Sequence, residues 1–191
     1  MTDTAAAAEW RWTQAAEQAR LVLATAPPRW VSLPRLAGVL VVTLVLLVGI
    51  ALAFGPDSTV RWAVAIGGSV AGLGVVVVET IRTVRARSRH PEWEPVTKLL
   101  SGRERYAVER VIRGRAVAPD DRLDIVRATA RQTAAGRAVV AVGGQLVLFT
   151  SIAVSGVGFW MIYVAVAIAW LVAVVFAFRS VIVARRYVAA L

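Results

Sequence analysis

The sequence has no cysteine, a single lysine (Lys98) and a single histidine (His90). Without cysteine there is no disulfide, no zinc thiolate, no iron–sulfur ligation and no thiol nucleophile. There is no H-E-x-x-H, no phosphate-loop lysine motif, no G-x-S-x-G and no helix carrying a cluster of acids. His90 stands beside Pro91 in a polar stretch and reads as an ordinary exposed side chain. No nucleophile or acid–base pair is evident, so neither catalysis, nor a cofactor, nor a metal is expected. Aromatic residues are scarce at 8%, yet 58% of the chain is hydrophobic. Soluble chains carry about 45–50%. The excess is Val, Ala and Leu, the chemistry of lipid-facing helices.

Four apolar runs account for it: Leu36 to Phe54, Trp62 to Ile81, Ala138 to about Val154, and Phe159 to Phe178. At about 1.5 Å per residue each approaches the roughly 30 Å of a bilayer core. Pro34 opens the first run, where its missing N–H is not needed. Gly55-Pro56-Asp57-Ser58 and Ser155 to Gly158 are turns too short for anything but antiparallel neighbours. The spacing therefore predicts an all-α integral membrane protein with two transmembrane hairpins (residues 31–81 and 138–178) and a helical cytoplasmic connector (residues 82–137). Ala51-Leu52-Ala53 has the small–x–small form of a signal-peptidase site, but the polar leader and the apolar run are both long for a signal peptide. An uncleaved anchor is expected.

Charge orients the chain. Fourteen of the 22 Lys and Arg residues lie in residues 82–137, four precede the first run (Arg11, Arg20, Arg29, Arg35) and three follow the last. Arg61 alone falls in an outer turn. The positive-inside rule then places both termini and the connector in the cytoplasm of an inner membrane. Trp62 and Trp160 open spans at the outer side and Trp30 precedes the first, where indole prefers the headgroup level. The connector also carries seven acids and no interleaved aromatic platform. Nucleic acid is therefore not an expected partner. The lipid bilayer and anionic inner-leaflet lipids are.

Within the connector, Ser101 and Glu104 form an S-x-x-E capping box, and Gly114 is a C-terminal stop. After Pro119, Asp120 or Asp121 is expected to cap a second helix carrying Leu123, Val126 and Ala130 and running into the third span. Both helices read as amphipathic and lying against the inner face of the membrane. Residues 1–30 show no clean apolar stripe. They read as a loosely ordered cytoplasmic tail, with a surface helix anchored by Trp10 and Trp12 as the alternative, ended by Pro27-Pro28. Residues 179–191 extend the fourth helix beyond the membrane.

Few residues inside the runs carry more than hydrophobicity. Gly68 and Gly72 form G-x-x-x-G, which lets helix backbones approach closely in lipid. Their partner is the first span, the third span or a second copy of the protein. Gly144, Ser151 and Ser155 make another small-residue face. Glu79, two turns beyond Gly72, aims at a neighbouring helix or sits in the headgroups beside Arg82. Gln145 can hydrogen-bond across helices, and contact with Glu79 is conceivable.

Leu99-Leu100-Ser101, Arg103-Glu104-Arg105, Val108, Val111-Ile112-Arg113 and Ala118-Pro119-Asp120-Asp121-Arg122-Leu123 together resemble a segment of small four-span membrane proteins of GC-rich bacteria. The resemblance implies a bacterial inner-membrane protein and brings no activity or ligand. The expectation is a non-enzymatic structural or regulatory membrane component, self-associating or binding another membrane protein through its helices. The alternative is an oligomeric transporter or channel subunit that lines a path with Glu79 and Gln145.

Overall fold

The computed structural model describes residues 2–25, 30–55, 57–89, 94–156 and 160–191. Pro27, Pro28, Pro56, His90, Pro91, Trp93, Gly158 and Phe159 lie outside them. Among the described residues seven α-helices follow one another: α1 Thr2–Ala24, α2 Leu33–Ala53, α3 Thr59–Arg89, α4 Gly102–Ile112, α5 Leu123–Ala134, α6 Arg137–Ser155 and α7 Trp160–Ala189. A 3-10 turn, Asp120–Arg122, precedes α5. Among the described residues there is no strand. Four of the helices (α2, α3, α6 and α7) are long and apolar enough to cross a membrane. The contacts divide the chain into two units. The apolar unit is Val31–Thr83 with Gly136–Arg179, and the arginine-rich unit is Met1–Trp30, Val84–Ala135 and Ser180–Leu191.

In the apolar unit α6 is the central helix. A third (33%) of its most apolar stretch is buried, against 11% for α2 and α3 and 6% for α7. Leu40 of α2, Leu146 of α6 and Val174 of α7 form a core, with Leu36, Leu44 and Trp170 packed on it. Phe149 and Trp170 stack with ring centroids 6.3 Å apart. The outward residues stay bare: Val41, Val45, Val70 and Phe176 are all exposed. This inversion, small or tightly packed inside and large apolar outside, is how a helix set meets lipid rather than water. Pro34 stands in the first turn of α2. Gly156, at φ +73°, ends α6 in a left-handed conformation that only glycine adopts without strain.

The arginine-rich unit has a conventional core. Ala15, Ala19 and Val22 of α1, Leu100 just before α4, Val108 and Ile112 of α4, Ile125, Val126 and Ala130 of α5, and Ala184 of α7 bury one another. This corrects the expectation of a loose tail at residues 1–30. Trp12, Ala15, Ala16, Ala19, Val22 and Leu23 recur at the spacing of one helix face, and that face packs along α5. The stripe is faint in the sequence because three of its members are alanine, barely distinct from the alanines around them.

Four other expectations are corrected. The apolar faces of α4 and α5 close on the protein's own core and not on a membrane face. Neither Asp120 nor Asp121 caps α5 through its side chain; both sit in the 3-10 turn, whose entry is set by Pro119. α5 does not run into α6, because Gly136 at φ +76° breaks the backbone between them. α3 also runs past Arg82, where the polar connector was expected to begin, to Arg89. α4 does stop ahead of Gly114, which takes φ +68° and donates its N–H to the Val111 carbonyl at 2.8 Å.

Candidate functional site

The glycines of α3 meet α6. A Cβ added to Gly72 would stand 2.6 Å from the Leu148 amide nitrogen and 2.8 Å from the Gly144 carbonyl oxygen. One added to Gly144 would stand 2.9 Å from Val75 Cγ1 and 3.2 Å from the Gly72 carbonyl oxygen. At Gly72 backbone lies against backbone, and at Gly144 the stiff branched side chain of Val75 adds to it. One turn earlier, a Cβ on Gly68 would collide with the Ser151 hydroxyl, and Leu47 of α2 lies 3.4 Å away. Ser151 is fully buried, and its hydroxyl donates to the Val147 carbonyl at 2.7 Å, so no polar group is left bare in the seam. Gly68, Gly72, Gly144 and Ser151 thus form one contact inside the chain. Of the partners expected for the Gly68–Gly72 face, the structure shows the third span, α6 of the same chain. Gly67 and Gly74 on the same helix meet nothing within 4 Å. The seam continues through Gly143, whose added Cβ would lie 3.2 Å from Leu40. That contact was signalled only by the adjacency of Gly143 and Gly144.

The polar residues of this unit do not converge. Glu79 pairs with Arg82 one turn on, at 3.0 Å, with 14% of its side chain exposed against 70% for Arg82. Gln145 is half-buried. Among the described residues no hydrogen bond joins it to Glu79. Arg61, read from the sequence only as a lone outer base, does more. Its Nε donates to the Val154 carbonyl near the end of α6 and its Nη1 to the Phe54 carbonyl after α2, the latter at 3.4 Å. One guanidinium therefore serves unpaired carbonyls at two helix C-termini, where a cation also suits the dipoles. Trp62 and Trp160 are 39% and 44% exposed.

In the arginine-rich unit, cations again close helix ends. Ser101 and Glu104 complete the capping box: the Ser101 N–H donates to Glu104 Oε2 at 2.6 Å, and the Glu104 N–H to Ser101 Oγ at 3.4 Å. Arg11 of α1 donates to both oxygens of the same carboxylate, Nε at 3.1 Å and Nη2 at 3.0 Å. The Arg11 hydrogen bond, helped by those from Ser101 and opposed by burial, pulls the Glu104 carboxyl down to about 2. The same bond pushes the Arg11 guanidinium above its ordinary value. Arg131 of α5 donates to the carbonyls of Val22, Leu23 and Thr25 at the end of α1. Arg185 of α7 donates to the Ala134 carbonyl at the end of α5, at 3.0 Å, and its guanidinium lies 5.1 Å from the centre of the Trp30 ring. Gln132 holds the Glu94–Val96 strip through its amide, donating to the Glu94 carbonyl at 2.9 Å and accepting from the Val96 N–H at 3.2 Å.

This arrangement binds helix to helix. The Arg11 hydrogen bonds hold the Glu104 carboxyl in its ionised form near neutral pH. Among the described residues no three His, Asp or Glu side chains come together to hold a metal ion. The chain matches no known family model, no protein of described function and no solved structure.

Proposed function

We propose that this chain is a non-enzymatic integral protein of a bacterial cytoplasmic membrane that works by interaction. It spans the bilayer four times as two hairpins, with both termini and the α4–α5 connector on the cytoplasmic side. There the arginine-rich unit acts as a compact docking module against the anionic inner leaflet.

The observation that carries this reading is the make-up of that unit. It draws on the N-terminal segment, the connector and the C-terminal segment, joined by Arg11–Glu104, by Arg131 on α1 and by Arg185 on α5. Segments packed in one core share one side of a membrane. Two helices separate each segment from the next, so pairs of crossings satisfy the arrangement. Charge supports it independently, since 21 of the 22 Lys and Arg residues fall outside the two outer turns.

Fusion of a phosphatase or a fluorescent protein after Leu191, in the turn at Asp57, and between Arg103 and Arg122 tests the topology. Fluorescence at the first and third positions and phosphatase activity at Asp57 is the expected pattern. Phosphatase activity at the third would overturn the reading. Partner capture by crosslinking, followed by native mass spectrometry, then distinguishes a self-assembling component from one that binds a different membrane protein.

A further inference from the structure

Trp12 of α1, residues 107–111 of α4 and the turn from Ala116 to Arg122 surround a cleft of about 170 Å³ in the arginine-rich unit. Its walls are apolar, formed by Trp12, Val108, Val111, Val117 and Val126. Val117 is 93% exposed, a bare hydrocarbon at the mouth. Two cations, Arg110 and Arg122, stand among these residues. The Arg122 guanidinium lies over the Trp12 ring, 4.2 Å from its centre. Its Nε is buried and has no hydrogen-bond partner. The Asp121 carboxylate approaches it only to 3.6 Å and is itself 72% exposed. Arg110 makes one long contact, 3.5 Å, to the Arg115 carbonyl. The neighbouring acids are engaged elsewhere: Glu109 with Arg113 at 2.9 Å and Asp124 with Arg127 at 3.8 Å. Arg103 and Tyr106 share the Arg110 face of α4, and Tyr106 is 58% exposed.

A hydrocarbon slot flanked by two cations, one with a buried donor left over, is complementary to an anionic amphiphile. The size narrows the choice. Pockets that enclose a whole small molecule run to about 300–1,000 Å³. This one is smaller, so it takes the few methylenes of a chain nearest the glycerol and leaves the headgroup at the rim. We propose that the cleft receives the glycerol-proximal part of one acyl chain of an anionic phospholipid, with the phosphate held between Arg110 and Arg122. The assignment rests on the reading that this unit faces the cytoplasmic leaflet, and it gives the module a defined lipid contact in place of diffuse attraction.

The test is native mass spectrometry of the full-length protein released from neutral detergent, with palmitoyl-oleoyl phosphatidylglycerol or the matching phosphatidylcholine added. The wild type retains one phosphatidylglycerol at about tenfold higher occupancy than phosphatidylcholine, a preference worth about 1.4 kcal/mol. The double variant Arg110→Gln/Arg122→Gln brings the two lipids level. Val117→Asp does the same by placing a carboxylate at the mouth, on a side chain that carries no core packing, so it decides the matter if losing Arg122 unfolds the unit. Equal retention of both lipids by the wild type overturns the proposal. So does phosphatidylglycerol retention that Val117→Asp leaves untouched in a folded protein, or full displacement by glycerol phosphate alone, which has no chain to fill the slot. A topology reporter placing residues 103–122 outside the cell would instead defeat the membrane-side reading, whatever the lipid result.

Discussion

Arg11 and Glu104 stand 93 residues apart in sequence, and their side chains meet through two hydrogen bonds of 3.0 and 3.1 Å. The carboxylate that Arg11 grips is already the second half of the α4 capping box. One charged group thus starts α4 and fastens α1 to it. One of the holds on the N-terminal segment therefore depends on the ionisation of that acid.

That tie gives a pH dependence with a definite sign. The Glu104 carboxyl is lowered from 4.5 to about 2 in the folded protein. A depressed acid contributes stability that is fully present above its unfolded value and is lost as pH falls through the folded one. Thermal unfolding in neutral nanodiscs should therefore be flat above about pH 5 in this contribution and weaken progressively from about pH 4.5 towards pH 2. Glu104→Gln should start lower at neutral pH and lose that part of the acid dependence. Parallel acid profiles for wild type and variant would show that the pair contributes nothing.

Gly72 and Gly67 should respond oppositely to the same substitution. Gly72→Ala forces a methyl group against the Leu148 and Gly144 backbone and should destabilise the apolar unit by about 1–3 kcal/mol. Gly67→Ala meets open space and should stabilise the helix by up to about 1 kcal/mol. Denaturant titration of both variants in mixed micelles reads the two signs. A neutral Gly72→Ala would mean that α3 and α6 do not cross there.

Removal of Arg131 should unfasten the end of α1. The three carbonyls it serves lose a charged donor, a loss of about 1.5–3 kcal/mol. Hydrogen exchange of Arg131→Ala should accelerate over the last two turns of α1 while α2 and α6 keep their protection. Arg131→Lys should recover only part of it, since an ammonium lacks the planar fork that reaches several acceptors at once.

Glu79→Gln should change little. Its partner Arg82 lies one turn away and is 70% exposed, and such pairs are worth about 0.3–0.5 kcal/mol. Proteoliposomes of wild type and variant should pass cations at the rate of empty vesicles. Flux that depended on Glu79 would make the chain a transporter subunit.

Much of this protein is written locally. The four apolar helices, the Pro34 start, the Gly114 stop and the Ser101–Glu104 box each depend on residues within a turn or a run of one another, and such signals survive without knowledge of the fold. The small residues Gly68, Gly72, Gly144 and Ser151 were also visible one by one. Their pairing was not: G-x-x-x-G states that something approaches closely but not whether it is α2, α6 or another copy. Nor did local signals reveal the alanine stripe of α1, whose burial shows only once α5 lies against it.

The sequence by itself determined which segments are fit to leave water, because hydrophobic length and charge add up residue by residue along the chain. Only the tertiary structure decided what the arginines do. A guanidinium that stays in water is indistinguishable in sequence from one that closes a helix end, and Arg61, Arg131 and Arg185 each reach a carbonyl 50 or more residues away, as Arg11 reaches the Glu104 carboxylate, through contacts that no local pattern encodes. The physical reason is that a helix end leaves its carbonyls unpaired wherever it falls, and which cation reaches them depends on where the other helices have packed.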